Sequence, residues 1–275
     1  MPEGDTIFRA ARTLNRALAG SVVTKFETQL PLLARIDVDS PIAGRSIDRV
    51  AANGKWMQIY FSGDLILLTH MLMSGSWHIY RPGEPWKRPR YHMRAAIHTA
   101  QFIAVAFNVP VAEFHTSATL ERHPSLRRLG PDVLAPDFDV ARAIDQLKSR
   151  PDLEIGVALL QQSLVAGLGN VFKSEVCFTS RVNPFRTIAT LEPLEIETVV
   201  QNARKLMSQN ITDSSGAGIV TYGGMRRTTG RSSPSERLYV YHRSGDPCRV
   251  CGTPILSRKQ GRDARATFWC PRCQR

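Results

Sequence analysis

Near its end the 275-residue chain carries four cysteines as Cys248-x2-Cys251 and Cys270-x2-Cys273, two knuckles with 18 residues between them. That spacing suits four thiolates placed tetrahedrally around one Zn²⁺, a closed structural site with no open coordination position. A hairpin this short cannot build a core of its own, so the metal supplies much of its folding energy. The fifth cysteine, Cys177, has no partner for a disulfide. Metal-committed thiols with one left over suit a reducing compartment, and a cytoplasmic protein is expected.

The cysteines are interleaved with cations. From Thr221 onward there are 12 Lys/Arg against Glu236, Asp246 and Asp263, which accounts for nine of the chain's net +12. Charge so concentrated, with a sequence pI near 10.0, is the footprint of a polyanion binder, because each neutralised phosphate releases counterions. A basic surface with no specific partner is the alternative. Arginine favours the first reading, since its planar fork matches phosphate. No apolar run approaches the ~20 residues that span a bilayer. The start, Met1-Pro2-Glu3-Gly4-Asp5, lacks the basic and apolar regions of a secretory signal.

Ahead of the cysteines the hydrophobic pattern changes period once. Asp5 can cap a first helix in which Ile7, Ala11, Leu14 and Leu18 recur at helical spacing, ended by Gly20. Residues 55–80 and 93–107 alternate as half-buried strands do, with turns at Ser62-Gly63-Asp64 and Ser74-Gly75-Ser76. From Asp139 the pattern is helical, with Val140, Ile144 and Leu147 on one face. A helix is expected over about 152–166. A tight turn at Gly167-Leu168-Gly169-Asn170 leads into a second, and a third starts near Pro193 and buries Ile196, Val199, Val200, Ala203, Leu206 and Met207. The Ser/Thr/Gly-rich stretch 208–236, with Arg226, Arg227 and Arg231, suits either a solvated linker or a loop ordered by ligand. The expected fold class is α+β: an N-terminal antiparallel β-sandwich-like domain with a flanking helix, then a helical domain carrying the four-cysteine zinc hairpin. The expected boundaries are 1–122, 123–236 and 237–275.

Four segments in this order resemble one family. They are Pro2-Glu3-Gly4, the Gly167-x-Gly169-Asn170-x4-Glu175 turn, the run from Leu238 to Gly252, and the ending from Arg265 to Gln274. Together they are similar to formamidopyrimidine-DNA glycosylases and endonuclease VIII. The resemblance implies a helix-two-turn-helix architecture for the helical domain and a bifunctional DNA glycosylase and abasic-site lyase working in base excision repair. Its partner would be damaged DNA, in duplex, single-stranded or bubble form, engaged by a monomer, nucleoid-associated if the chain is bacterial.

The same resemblance assigns roles. Loss of Met1 would expose Pro2 as a secondary amine, and an α-amino group, with a reference pKa of ~7.7–8.0 against ~10.4 for lysine, is far more often neutral. In the family that amine attacks C1′ of the damaged nucleotide and forms an iminium, which leads to loss of the base and successive eliminations of the 3′ and 5′ phosphates. Glu3 matches the carboxyl that transfers protons there, and Lys55 matches a β-strand lysine at phosphate and sugar. Leu72 and Met73 precede a turn, where an apolar wedge could fill the gap left by a flipped nucleotide. Asn170 and Arg265 match phosphate clamps. Blander readings accompany each: a helix-starting Pro2, a first-turn acid at Glu3, a solvated Lys55, a core-packed Met73, and Asn170 as a helix cap.

Two departures from the family pattern matter. Thr6 stands where a second N-terminal glutamate is usual, which changes how protons are shuttled. Asn108-Val109-Pro110-Val111-Ala112 replaces a loop that contacts the base opposite a damaged purine. Both, with the Pro-Glu-Gly start, favour the endonuclease VIII side and oxidised pyrimidines. An oxidised-purine glycosylase, or a zinc protein that binds lesions without chemistry, are the alternatives.

Overall fold

The computed structural model describes residues 2–211, 226–229 and 236–275. Most of the Ser/Thr/Gly-rich stretch, including Arg231, and Met1 lie outside the described residues. Two compact units divide near Arg127 and Arg128, the second including the zinc hairpin.

The first unit begins with α1 (Gly4–Leu18), whose Ile7, Ala10, Ala11, Leu14, Ala17 and Leu18 are buried on one stripe. Glu3 occupies the N-cap without a side-chain cap, and Asp5, expected to cap the helix, instead lies buried in its first turn. Gly20 ends the helix region at φ +80°, where a side chain would be strained. Then follow β1 (Val23–Thr28), α2 (Pro31–Asp39), β2 (Ile47–Asn53), β3 (Trp56–Phe61), β4 (Leu65–His70), β5 (Ser76–Tyr80), β6 (Met93–Thr99), β7 (Ile103–Phe107) and β8 (Val111–His115). Short helices α3 (Ser117–Glu121) and α4 (Pro124–Arg127) close the unit.

The strands form two antiparallel four-stranded sheets, in the orders β1-β6-β7-β5 and β2-β3-β4-β8. One core joins them: Val23, Phe26, Trp77, Ile97 and Ala104 from the first sheet meet Val50, Met57, Ile59, Phe61 and Leu67 from the second and the stripe of α1. The other face of the second sheet carries Trp56, Gln58 and Tyr60 opposite His70, Leu68 and Ile66, which in turn pair with Val111, Glu113 and His115.

The second unit starts with α5 (Val140–Lys148), capped by the Asp139 carboxylate accepting from Arg142 N–H at 2.9 Å. The long helix expected over 152–166 is only α6 (Ile155–Ala158). Backbone groups that would continue it are taken elsewhere: Gly130 N–H donates to Gln162 O and Ala166 N–H to Pro131 O. The Gln162 side chain donates to Leu160 O and Leu168 O and accepts from Gly167 N–H. Leu159, Leu164, Val165 and Ala166 are all buried, so apolarity there marks a buried strap rather than an amphipathic helix. α7 (Asn170–Thr179) and α8 (Pro193–Ile211) follow, and α8 buries the six residues expected of it. The hairpin of β9 (Leu256–Gln260) and β10 (Arg265–Trp269) packs on α7.

Candidate nucleic-acid interface and N-terminal site

In the first unit Pro2 is half-buried, immediately before the N-cap of α1. Glu3 is wholly buried, and its carbonyl accepts from the Thr6 and Ile7 N–H groups. The residue bearing the candidate amine is therefore covalently joined to a fixed helical turn. Asp5 is also wholly buried, with Arg9 Nη2 3.5 Å from its Oδ2.

Lys55 lies in the turn between β2 and β3 rather than in a strand: Asn53 pairs with Trp56, leaving Gly54 and Lys55 as a two-residue loop with Gly54 at φ +58°. Such a loop with a left-handed first residue preserves strand twist. Lys55 and the candidate wedge converge on His70, a residue that sequence reasoning did not single out. Burial, and then the Lys55 charge, push the His70 pKa down to about 4, so its ring is neutral near pH 7. The neutral Nδ1 accepts from Leu72 N–H at 3.1 Å, and the Trp56 ring lies edge-on to His70 at 4.7 Å between centroids.

The turn after β4 projects the two candidate wedge residues. Leu72 is 48% exposed with φ +45°, and Met73 is 61% exposed. A left-handed leucine costs about 1–2 kcal/mol. Gly75 N–H closes the turn on Met71 O at 2.8 Å, and a Cβ on Gly75 would lie 2.6 Å from that oxygen. Met71, not Met73, is the methionine packed in the core. At the same end of the sheets, where His70 pairs with Val111 and Ser76 with Phe107, β7 and β8 are joined by residues 108–110 alone, with Val109 buried. So short a connection offers little to reach another strand.

In the second unit the four cysteines converge. All four sulfurs lie within 4.8 Å of one another, with Cys248 to Cys273 at 3.8 Å and Cys251 to Cys270 at 3.5 Å. A Zn²⁺ with Zn–S ≈ 2.3 Å requires tetrahedral edges of about 3.8 Å, so the donor set fits. Val250 N–H donates to Cys248 Sγ at 3.4 Å, as the backbone of a metal knuckle does. The Thr253 hydroxyl and amide pull the Cys251 thiol down to about 6. Burial, and then the neighbouring thiols, push Cys273 up. Four thiolates crowded together need a dication, and the chain holds one structural zinc.

β10 is fastened to α7 by polar groups. Asn170 is the first residue of α7 and does not cap it; its Nδ2 donates to Ala266 O at 2.8 Å. Lys173, wholly buried and unforeseen from the sequence, donates to the same oxygen at 3.3 Å and to Thr267 Oγ1 at 2.6 Å. Two donors thus hold the carbonyl next to Arg265, while Arg258, Lys259, Arg262 and Arg265 are exposed on the hairpin. Glu175, buried in the same helix, accepts from the N–H groups of Tyr239, Val240 and Tyr241, each at 2.8 Å, and from the Thr228 hydroxyl. That carboxylate docks the segment leading into the first knuckle. A pocket of about 540 Å³ beside the hairpin is lined by Arg150, Lys173, Arg262 and Arg265, among others.

A buried N-terminal carboxyl on a β-sandwich, followed by a helical unit stapled to a basic zinc hairpin, defines the class. The N-terminal domain of formamidopyrimidine-DNA glycosylases matches residues 1–110, their H2TH domain residues 129–221, and the zinc finger found in FPG and IleRS residues 245–275. A "Probable endonuclease 8 2" of Streptomyces coelicolor is 37% identical over all of this chain and 94% of its own. A "DNA-(apurinic or apyrimidinic site) lyase Nei2" of Mycolicibacterium smegmatis is 34% identical over all of this chain and 99% of its own. Among solved structures, a Lactococcus lactis Fpg in complex with abasic-site DNA superposes with a TM-score of 0.81 at 21% identity, covering 99% of both chains, which shows the shared fold. The chain belongs to the formamidopyrimidine-DNA glycosylase family, on its endonuclease VIII-like branch.

Proposed function

We propose that the chain is a base-excision-repair enzyme, a bifunctional DNA glycosylase and abasic-site lyase whose substrates are oxidised pyrimidines and abasic sites. The names of its relatives, endonuclease 8 and DNA-(apurinic or apyrimidinic site) lyase, point the same way. With Met1 removed, the Pro2 nitrogen attacks C1′ and loses its proton as the base departs with one; cleavage of the C1′–O4′ bond with protonation of O4′ then opens the sugar and leaves an iminium. Loss of a 2′ proton then expels the 3′ phosphate, and a second elimination expels the 5′ phosphate. The observation that carries this reading is the burial of Glu3 one residue after that amine. Its burial and its place in the fixed first turn of α1 hold that carboxyl beside the amine, where a general acid-base residue has to stand.

Asp5, buried two residues further on and paired with Arg9, offers a second carboxylate where Thr6 has replaced the usual glutamate. Lys55 contacts a phosphate near the sugar, and Leu72 and Met73 enter the duplex as the nucleotide leaves it. Arg265 and the N-terminus of α7 hold backbone phosphates. The three-residue link between β7 and β8 supports weak discrimination of the opposite base. The enzyme acts as a monomer in the cytoplasm. Among the described residues no helix is long and apolar enough to cross a membrane.

Gel assays on duplexes carrying dihydrouracil or thymine glycol, against 8-oxoguanine opposite cytosine, test the substrate class. Faster excision of the pyrimidines, by at least about tenfold and with little dependence on the opposite base, is expected. Preference for 8-oxoguanine opposite cytosine would assign the chain to the purine side.

A further inference from the structure

A second cluster of metal-ligating groups stands apart from the cysteines, on the face of the β2-β3-β4-β8 sheet turned away from its core. Glu113 and His115 are alternate residues of β8 and so share that face. His123, between α3 and α4, returns to meet them. One carboxylate oxygen, Glu113 Oε2, faces both imidazoles: His115 Nε2 at 3.1 Å and His123 Nε2 at 3.5 Å. The three candidate ligand atoms lie within 4.8 Å of one another. The side chains of His115 and His123 are only 16% and 10% exposed, while that of Glu113 is 46% exposed.

We propose that Glu113, His115 and His123 form a second, open divalent-metal site, distinct from the structural zinc. Metal–N and metal–O bonds of about 2.0–2.2 Å in a tetrahedron put ligand atoms about 3.3–3.5 Å apart, and the two observed separations bracket that range closely. Two imidazoles and one carboxylate select a borderline first-row ion, Zn²⁺ foremost, over Mg²⁺ or Ca²⁺, which want oxygen alone. Three protein ligands leave the remaining position to water, reached from the exposed side of Glu113.

Occupancy would fasten His123, and with it the segment between α3 and α4, to β8. The Asp64 carboxylate already holds the start of that segment by accepting from Ser117 N–H at 3.0 Å and from its hydroxyl at 2.5 Å. Binding through Nε2 places the remaining proton of His123 on Nδ1. The long contact in which Leu126 N–H donates to that Nδ1, at 3.4 Å, then opens, so the first turn of α4 registers the metal. Trp56 registers it too: its ring lies edge-on to His123 at 5.1 Å and to His70 at 4.7 Å. The site is therefore one ring removed from the histidine that accepts from Leu72.

The full-length protein, its finger loaded with zinc, is titrated with Co²⁺. One further equivalent should bind, giving visible d–d absorption without a thiolate charge-transfer band and quenching tryptophan fluorescence. Glu113→Gln, at an exposed carboxyl, and His123→Asn should each weaken that equivalent by at least about tenfold, with unchanged circular dichroism. Trp56→Phe should keep the stoichiometry and lose the quenching. Absence of any Co²⁺ equivalent beyond the finger, or equal affinity in Glu113→Gln and the parent, would overturn the proposal and leave the cluster as two imidazoles donating to one oxygen.

Discussion

His70 shows how one protonation state is tied to the turn that projects Leu72. Its pKa is held near 4 in the folded protein against 6.5 for an ordinary histidine, by burial first and Lys55 second. The unfolded chain therefore binds the proton more readily between those values, and stability present above pH 6.5 is lost as the pH falls towards 4. His78, held near 4 by burial and then by Arg88 and Lys87, acts in the same direction. His70→Asn keeps an acceptor for Leu72 N–H but does not titrate, so urea midpoints measured at pH 7 and pH 4.5 should differ less than in the parent. Met73 is a separate case, because its exposure means that Met73→Ala should alter stability by no more than about 0.5 kcal/mol. Excision from duplex DNA should nevertheless fall by about tenfold, with single-stranded substrate spared. The four cysteines were legible because their spacing is local in sequence. Lys173, His70 and the docking role of Glu175 were not, since a buried polar side chain is explained only by partners far along the chain.

Among the elements, legibility followed periodicity. α1, α5 and α8 have one apolar stripe each and lie where the spacing put them. β1, β2 and β8 went unforeseen because their burial does not alternate; β1, for instance, buries only Val23 and Phe26 of six residues. The strap at 159–168 failed for a different reason: its buried residues are Leu159 and then the unbroken run 164–168, which does not recur at helical spacing. The contact of α7 with β10 carries a prediction of its own. Lys173→Met strips Ala266 O and Thr267 Oγ1 of a donor, at a cost of about 1–3 kcal/mol in positioning the strand that bears Arg265. DNA affinity should drop by about tenfold or more in a fluorescence titration, while zinc content stays at one per chain. Unchanged affinity would mean that Asn170, Ser174 and the Gln260 contacts with Glu154 and Pro184 set the hairpin without Lys173.

For the whole molecule the positive charge gathered after Thr221 makes binding a counterion-release process. The logarithm of affinity should fall linearly with the logarithm of salt, by about 0.9 for each phosphate neutralised on duplex DNA. Stripping the structural zinc should abolish most of that binding while leaving the thermal unfolding of the first unit unchanged, because its core contains no residue of the hairpin. The proposed chemistry rests on one atom, the nitrogen of Pro2 after Met1 is gone. Borohydride reduction of the enzyme on abasic DNA, followed by peptide mass spectrometry of the adduct, tests it most directly. A covalent deoxyribose remnant on Pro2 is expected, absent from Pro2→Gly protein that retains Met1. A remnant carried by a lysine, or efficient cleavage with no trapped species, would contradict it.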